Sequence, residues 1–149
     1  MKNCDGTAFE VLQTRTIFQP FAWGIFHGCK WFETSARYTR IRGRVYIHAG
    51  CVTPPWMLER FFRELPREHL KEMSPEWVAG LPRGAILGSV EIVDSVRAEK
   101  VRDGLPALER AFGDFRDGRY AWKLANPVLF PEPVPARGKQ GWWKWGKGE

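Results

Sequence analysis

A lysine and a glutamate three residues apart form the most suggestive chemical pair in the sequence. Lys30 and Glu33 lie in the stretch GCKWFE (28–33), a G-x-K-x-x-E pattern that follows a short apolar segment. A carboxylate can take a proton from a hydroxyl, and a neighbouring ammonium group can stabilise negative charge on a phosphate. The pair is therefore suited to holding a phosphate-bearing ligand and, as catalytic residues, to hydrolysing it. The alternatives are that Lys30 is an ordinary surface lysine and that Glu33 is only its ion-pair partner.

The positive charge of the chain is concentrated in two segments. The 149 residues carry a net charge of +6, with +4 in residues 30–44 and +3 in residues 137–149. Three tryptophans are interleaved with the basic residues of the second segment. Basic residues mixed with aromatic ones favour a polyanion as partner, and single-stranded RNA in particular. The alternative is a solvated surface that only adds solubility.

Composition indicates an ordinary globular protein in a reducing compartment. At 44% hydrophobic and 27% charged residues, the chain suits one compact domain over residues 1–149. It has no apolar run long enough to span a membrane and no apolar signal segment in its first ten residues. Cys4, Cys29 and Cys51 form no C-x-x-C and are expected to be reduced. We therefore expect a cytoplasmic protein with no membrane partner.

No metal site is predicted from the sequence. His27, Cys29, His48 and Cys51 are close in sequence, but their spacings do not match the usual zinc patterns. His48 ends a predicted strand and is expected to be a structural residue. A divalent ion held loosely between Glu33 and a ligand phosphate is left open as a cofactor.

Short strands alternate with short helices along the chain. The patterns of apolar residues, prolines and glycines predict strands at 11–18, 30–33, 42–49, 84–96, 120–127 and 140–145, and helices at 20–27, 54–65, 74–79 and 106–112. The proline-rich segment 127–135 must be extended but cannot be a central strand. This order predicts an α+β fold, a small, partly open β-barrel of about five to six strands with helices inserted between them.

The alternation of side chains assigns faces to several of these elements. Ile86, Val90 and Ile92 are predicted to share the inward face of their strand, with Leu87 on the opposite face. The helical spacing of apolar residues after the proline pair at 54–55 places Trp56 in the core.

Five motifs in this order resemble a known family. They are QPFAW (19–23), GCKWFE (28–33), RGRVYIHA (42–49), LPRGAILG (81–88) and RGKQGW (137–142). Together they resemble the ASCH domain, a family with a PUA-like β-barrel fold, over nearly the whole chain. The resemblance implies a cleft that faces RNA or a nucleoside and is lined by Lys30 and Glu33. We expect the RNA-binding residues around it to be Gln19, Arg40, Arg42, Arg44, Lys139 and Gln140.

The resemblance implies hydrolysis of RNA and leaves two alternatives. Some relatives are described as ribonucleases, whereas small relatives are amidohydrolases of acetylcytidine that use a threonine three residues after the lysine. This chain has Glu33 there, which favours ribonuclease-like cleavage of a phosphodiester. An amidohydrolase of acetylated cytidine and a non-catalytic reader of RNA or modified nucleotides are the alternatives. The family pattern also continues with an arginine where this chain has Ser35, and Arg37 can supply that cation.

Overall fold

The computed structural model describes residues 9–147, so Cys4 lies outside the described residues. They form the strands β1 (Leu12–Ile17), β2 (Phe32–Ser35), β3 (Gly43–Ala49), β4 (Ala85–Arg97), β5 (Tyr120–Pro135) and β6 (Trp142–Trp145). The α-helices are α1 (Phe21–Phe26), α2 (Pro55–Glu64), α3 (Pro75–Ala79) and α4 (Ala107–Ala111). Within residues 9–147, no helix is long and apolar enough to cross a bilayer.

The strands form one mixed sheet in the order β2-β5-β4-β3-β1-β6. All neighbours are antiparallel except β1 and β3, which run parallel. Parallel strands need a crossover connection, and here the chain passes through α1 and β2 between them. The predicted α+β class is confirmed.

The sheet is open at its edges but strongly curled. In the described part of the chain, no ladder of backbone hydrogen bonds joins the edge strands β2 and β6. Even so, Trp122 of β5 stacks on Trp142 of β6 with ring centroids 5.5 Å apart, although three strands separate β5 from β6 in the sheet. The Arg15 guanidinium lies 5.1 Å from one ring centroid and 5.5 Å from the other. Side chains, rather than backbone hydrogen bonds, therefore bring the two ends of the sheet together.

Both faces of the sheet carry buried side chains, and a β-bulge changes the predicted faces of β4. Val90 and Ile92 lie in the main core with α1 and α2, as predicted. Ile86 instead packs in a second cluster with Trp143 and other aromatic residues, and Leu87 joins the main core. The register of β4 against β5 shifts between Ile86 and Gly88, and a bulge of this kind reverses the alternation of side chains. The shared face predicted for Ile86, Val90 and Ile92 is therefore wrong for Ile86.

Local signals predicted most element boundaries well. Ser74 caps α3, because its hydroxyl accepts a hydrogen bond from the Trp77 amide at 3.1 Å. The proline-rich end of β5 pairs only with β4, since β2 pairs with residues 120–123 alone. That end is therefore extended but not central, as its prolines require.

The two ends of the described chain meet at one edge of the sheet. β1 lies between β3 and β6, so the first strand pairs directly with the last. Beyond this pairing, the Lys147 amide donates a hydrogen bond to the Phe9 carbonyl at 3.0 Å.

Candidate functional site

Lys30 is positioned by the way the chain leaves α1. Gly28 has φ +76°, in the left-handed region that glycine adopts without strain, and the Lys30 amide bonds back to the Gly24 carbonyl at 3.1 Å. The Lys30 side chain then runs inward and is only 1% exposed. Its Nζ donates to the Phe112 carbonyl at 2.6 Å and lies 3.2 Å from Glu33 Oε1. Lys30 is thus a buried cation held between the helix exit and the chain after α4.

Glu33 lies on β2, and the structure brings its carboxylate next to the Lys30 ammonium group. Its side chain is 17% exposed, and Oε1 also accepts a hydrogen bond from the Thr34 amide at 3.0 Å. Lys30 and Glu33 line a pocket of about 380 Å³. Both residues therefore face the pocket, and the carboxylate is the more exposed of the two.

The pocket is strongly cationic. Besides Lys30, its lining includes four arginines from four different parts of the chain: Arg15, Arg37, Arg60 and Arg119. Glu33 and Asp114 are the acidic residues of that lining. Arg37, the expected substitute for the arginine missing at Ser35, is among the four arginines. Five cations facing two carboxylates make this pocket attractive to an anionic ligand.

Asp114 organises three of the arginines near the pocket. Its buried carboxylate lies 3.0 Å from Arg60, 2.7 Å from Arg116 and 3.4 Å from Arg119. Burial alone would raise the pKa of Asp114, but the hydrogen bonds from Arg116 and the charges of Arg119 and Arg60 lower it below its ordinary value. The single negative charge of Asp114 is therefore surrounded by three positive charges, more than it can neutralise.

Glu109 fixes the start of β2 beside the lysine. This buried residue of α4 accepts hydrogen bonds at one oxygen, Oε2, from the Trp31 amide at 2.6 Å and the Phe32 amide at 3.0 Å. Burial raises the pKa of Glu109, while these bonds and the charge of Lys30 partly oppose the rise. Glu109 therefore positions the segment that carries Lys30 and Glu33.

The structure separates Gln19 from the pocket. The Gln19 side chain is fully buried, its Oε1 accepts from the Trp23 amide at 2.8 Å, and its Nε2 donates to the Pro82 carbonyl at 2.9 Å. These bonds satisfy the start of α1 and tie it to the chain before β4. The Gln19 side chain therefore exposes no polar group with which it could make the expected contact to RNA.

The expected arginine surface lies outside the pocket lining. Arg44 is engaged with Ser89 at 2.9 Å and Glu91 at 3.1 Å. Arg42 bonds to backbone carbonyls and to the Tyr38 hydroxyl at 3.0 Å. Arg40 is exposed.

The expected contacts near the C-terminal end are also outside this pocket. Lys139 and Gln140 are exposed, and the Lys139 carbonyl accepts a hydrogen bond from the Thr16 hydroxyl at 3.3 Å. His48 is buried, with its ring nitrogens bonded to the Ala136 carbonyl and the Thr16 hydroxyl. Burial lowers the pKa of His48, although the Ala136 bond opposes this. His48 is a structural residue, as predicted.

Metal-binding side chains do not cluster in the part of the chain that the structure describes. Across residues 9–147, no group of three or more His, Cys, Asp or Glu is placed to hold a metal ion. A divalent ion at this site would therefore depend on Glu33 and on oxygens of the ligand itself.

Trp56 is the clearest residue that sequence reasoning misplaced. The prediction that it lies in the core is wrong, because its side chain is 54% exposed and lines the pocket. The Arg60 guanidinium, one helical turn further along α2, lies 5.8 Å from the Trp56 ring centroid. Arg15, Arg60 and Asp114 were also missed, since no local motif connects them to Lys30.

The chain is similar to two known proteins. No family model matches the chain. The chain is 24% identical over 131 residues to the human protein Activating signal cointegrator 1, a stretch that is 87% of this chain and 21% of the human protein. The chain thus spans about a fifth of that relative's length. A solved structure of a mutant ZmASCH protein from Zymomonas mobilis matches with a TM-score of 0.45 and 15% identity, over 83% of this chain and 74% of that one.

The sequence similarity supports an ASCH domain in this chain. It agrees with the five motifs in covering most of the chain, and the predicted resemblance to that family is confirmed.

Proposed function

We propose that this chain binds single-stranded RNA in the pocket beside Lys30 and Glu33 and cleaves a phosphodiester there. The observation that carries the proposal is the close pair of a buried ammonium group and a partly exposed carboxylate, 3.2 Å apart, in a pocket lined by four arginines. Arginine is well suited to phosphate, because its planar donors can bind two oxygens at once. The arginines would bind phosphates of the RNA backbone and leave Lys30 and Glu33 free to act on the phosphodiester that is cleaved.

Lys30 would stabilise the negative charge that develops on the attacked phosphate. An ammonium group has three donors, and two of those of Lys30 have partners in Phe112 and Glu33. In the proposed complex the third would donate to a phosphate oxygen. Because Lys30 is shielded from water, its charge acts in a medium of low dielectric, where such stabilisation is strong.

Glu33 would accept the proton of the ribose 2′-hydroxyl as its oxygen attacks the phosphorus. The bond from phosphorus to the 5′-oxygen then breaks, which leaves a 2′,3′-cyclic phosphate, and the departing 5′-oxygen takes a proton from water. Glu33 is the carboxylate of the pocket that touches Lys30, and its partial exposure lets a ligand reach it. Deacylation of acetylated cytidine and non-catalytic binding of RNA are the two alternatives. RNA cleavage gives RNA fragments, deacylation releases acetate, and non-catalytic binding gives no product. One set of reactions can therefore distinguish all three functions.

The test uses a pair of matched glutamates. Glu33→Gln keeps the size of the side chain and an oxygen for the Thr34 amide, but it removes the base. Glu91→Gln is the control, because Glu91 is also a strand carboxylate with a cationic partner, Arg44, at 3.1 Å, and it lies outside the pocket lining. Both variants and the parent are incubated with single-stranded RNA and with acetylcytidine, each with and without EDTA.

We expect Glu33→Gln to lose RNA cleavage by roughly 10²-fold or more, the usual contribution of a general base, while it still binds RNA. Glu91→Gln should cleave like the parent. Parent-like cleavage by Glu33→Gln would exclude Glu33 as the base. Tight RNA binding with no product from the parent would favour a reader, and release of acetate from acetylcytidine would favour an amidohydrolase.

A further inference from the structure

A second, larger groove adjoins the pocket of Lys30 and Glu33. It has a volume of about 770 Å³ and runs between α2 and the chain around α4. The two cavities share the lining residues Trp56, Arg60, Gly113 and Asp114. They are therefore neighbouring parts of one continuous surface, with Trp56 and Arg60 at the junction.

The second groove carries an excess of positive charge. Its lining holds five arginines against three carboxylates, namely Arg60, Arg63, Arg102, Arg110 and Arg116 against Glu59, Glu64 and Asp114. Arg102 and Arg116 form ion pairs with aspartates. Arg63 and Arg110 are exposed and form no salt bridge with any residue between 9 and 147. These two cations are available to an external anion.

Arg60 has unused hydrogen-bonding capacity at the junction. Its Nη1 lies 3.0 Å from Asp114 Oδ2, but neither Nη1 nor Nε makes a hydrogen bond of acceptable geometry within residues 9–147. The side chain is only 13% exposed, so these donors are also largely cut off from bulk water. A buried donor without a partner is costly, so the guanidinium of Arg60 is incompletely satisfied within the protein and its charge would attract a phosphate that enters the groove.

Trp56 supplies an aromatic surface at the same place. More than half of the side chain is exposed, although it lies beside a guanidinium. An exposed indole next to arginines is the arrangement on which unpaired bases stack in proteins that bind single strands. Stacking of this kind tolerates any base, so it predicts little sequence preference at this position.

We propose that the groove between α2 and α4 is a second-nucleotide subsite, in which Trp56 stacks a base while Arg60, Arg63 and Arg110 hold the adjoining phosphate. This inference rests on the proposed function and extends it, because it makes the ligand an RNA chain of at least two nucleotides. A mononucleotide or a free nucleoside would fill the pocket of Lys30 and leave the groove empty.

Binding of RNA of increasing length tests the subsite. The affinities of a nucleoside monophosphate and of a labelled single-stranded tetranucleotide are measured for the parent, Trp56→Ala and Trp56→Phe. Trp31→Ala is the matched control, because Trp31 is also exposed, at 49%, and lines neither cavity. Circular dichroism establishes that each variant is folded.

We expect the parent to bind the tetranucleotide at least tenfold more tightly than the monophosphate. Trp56→Ala should lose roughly tenfold in affinity for the tetranucleotide and little for the monophosphate, and Trp56→Phe should recover part of the loss. Trp31→Ala should bind like the parent. Equal tetranucleotide affinity of Trp56→Ala and the parent would overturn the stacking subsite.

Salt dependence tests the phosphate contacts separately. In the double variant Arg63→Gln with Arg110→Gln, the slope of log affinity against log salt should become shallower by about 0.7 for each lost contact. The control is the double variant Arg67→Gln with Lys71→Gln, whose exposed positions lie outside both grooves, and its slope should match that of the parent. An unchanged slope in the first pair would refute the contacts. If the parent binds neither the nucleoside monophosphate nor the tetranucleotide, the proposed function itself fails. If it binds the two ligands with equal affinity, only the subsite fails.

Discussion

Replacing Asp114 by asparagine should destabilise the fold severely. The substitution keeps the shape but puts an amide where a carboxylate now faces Arg60, Arg116 and Arg119. Most of the cost should come from Arg60, whose side chain is 13% exposed and would keep its charge without a counterion. Removing one partner of a buried ion pair costs about 3–5 kcal/mol. Arg116 is 74% exposed and can return to water, so its loss should add little.

Urea unfolding followed by tryptophan fluorescence measures this cost. The matched control is Asp94→Asn, because Asp94 is 57% exposed and lies 3.8 Å from Arg42, and the loss of such a surface pair costs less than about 1 kcal/mol. Since the pKa of Asp114 is lowered in the folded state, its stabilisation is present above the ordinary value of 3.8 and is lost as pH falls through the folded pKa. The gap between parent and Asp114→Asn should therefore close in acid. If both asparagine variants unfold at the same urea concentration, Asp114 does not hold the arginines as described.

Two further substitutions test the core and the support of the site. Ile92→Asp should cost more than about 3 kcal/mol, because Ile92 is 2% exposed and the variant buries an unpaired charge, and an unchanged melting temperature would contradict its inward position. Glu109→Gln can keep both amide bonds through one oxygen. Because burial raises the pKa of Glu109, its contribution is complete below the unfolded pKa, near 4.5, and is lost as pH rises through the folded pKa. The variant should therefore gain stability relative to the parent as pH rises. If the free energy of unfolding changes with pH by the same amount in the variant and the parent, this expectation is refuted.

The sequence predicted the part of the site that depends on local geometry. Lys30 and Glu33 are three residues apart, and both lie on the short segment that follows the turn at Gly28. Arg15, Arg60 and Asp114 reach the same pocket from distant segments. Their convergence depends on how α2 and α4 pack against the curled sheet, which no local pattern records.

Trp56 and Gln19 were misjudged for different physical reasons. On α2, Trp56 and Phe61 are five residues apart, which is about 140° around a helix, so the burial of Phe61 turns Trp56 towards solvent. Gln19 looked like a ligand contact because it is polar and adjoins Pro20 in a motif. The start of α1 needs an acceptor for the Trp23 amide, and Gln19 provides it from inside the protein.

The pairing of the first strand with the last has a consequence for how this unit can be combined with others. Phe9 and Lys147 are joined by a backbone hydrogen bond, so the chain enters and leaves the fold at almost the same point. Folds with adjacent termini tolerate circular permutation and insertion into the loops of other proteins. A host protein could therefore carry this unit as an insert while its own chain continues from nearly the position at which it was interrupted.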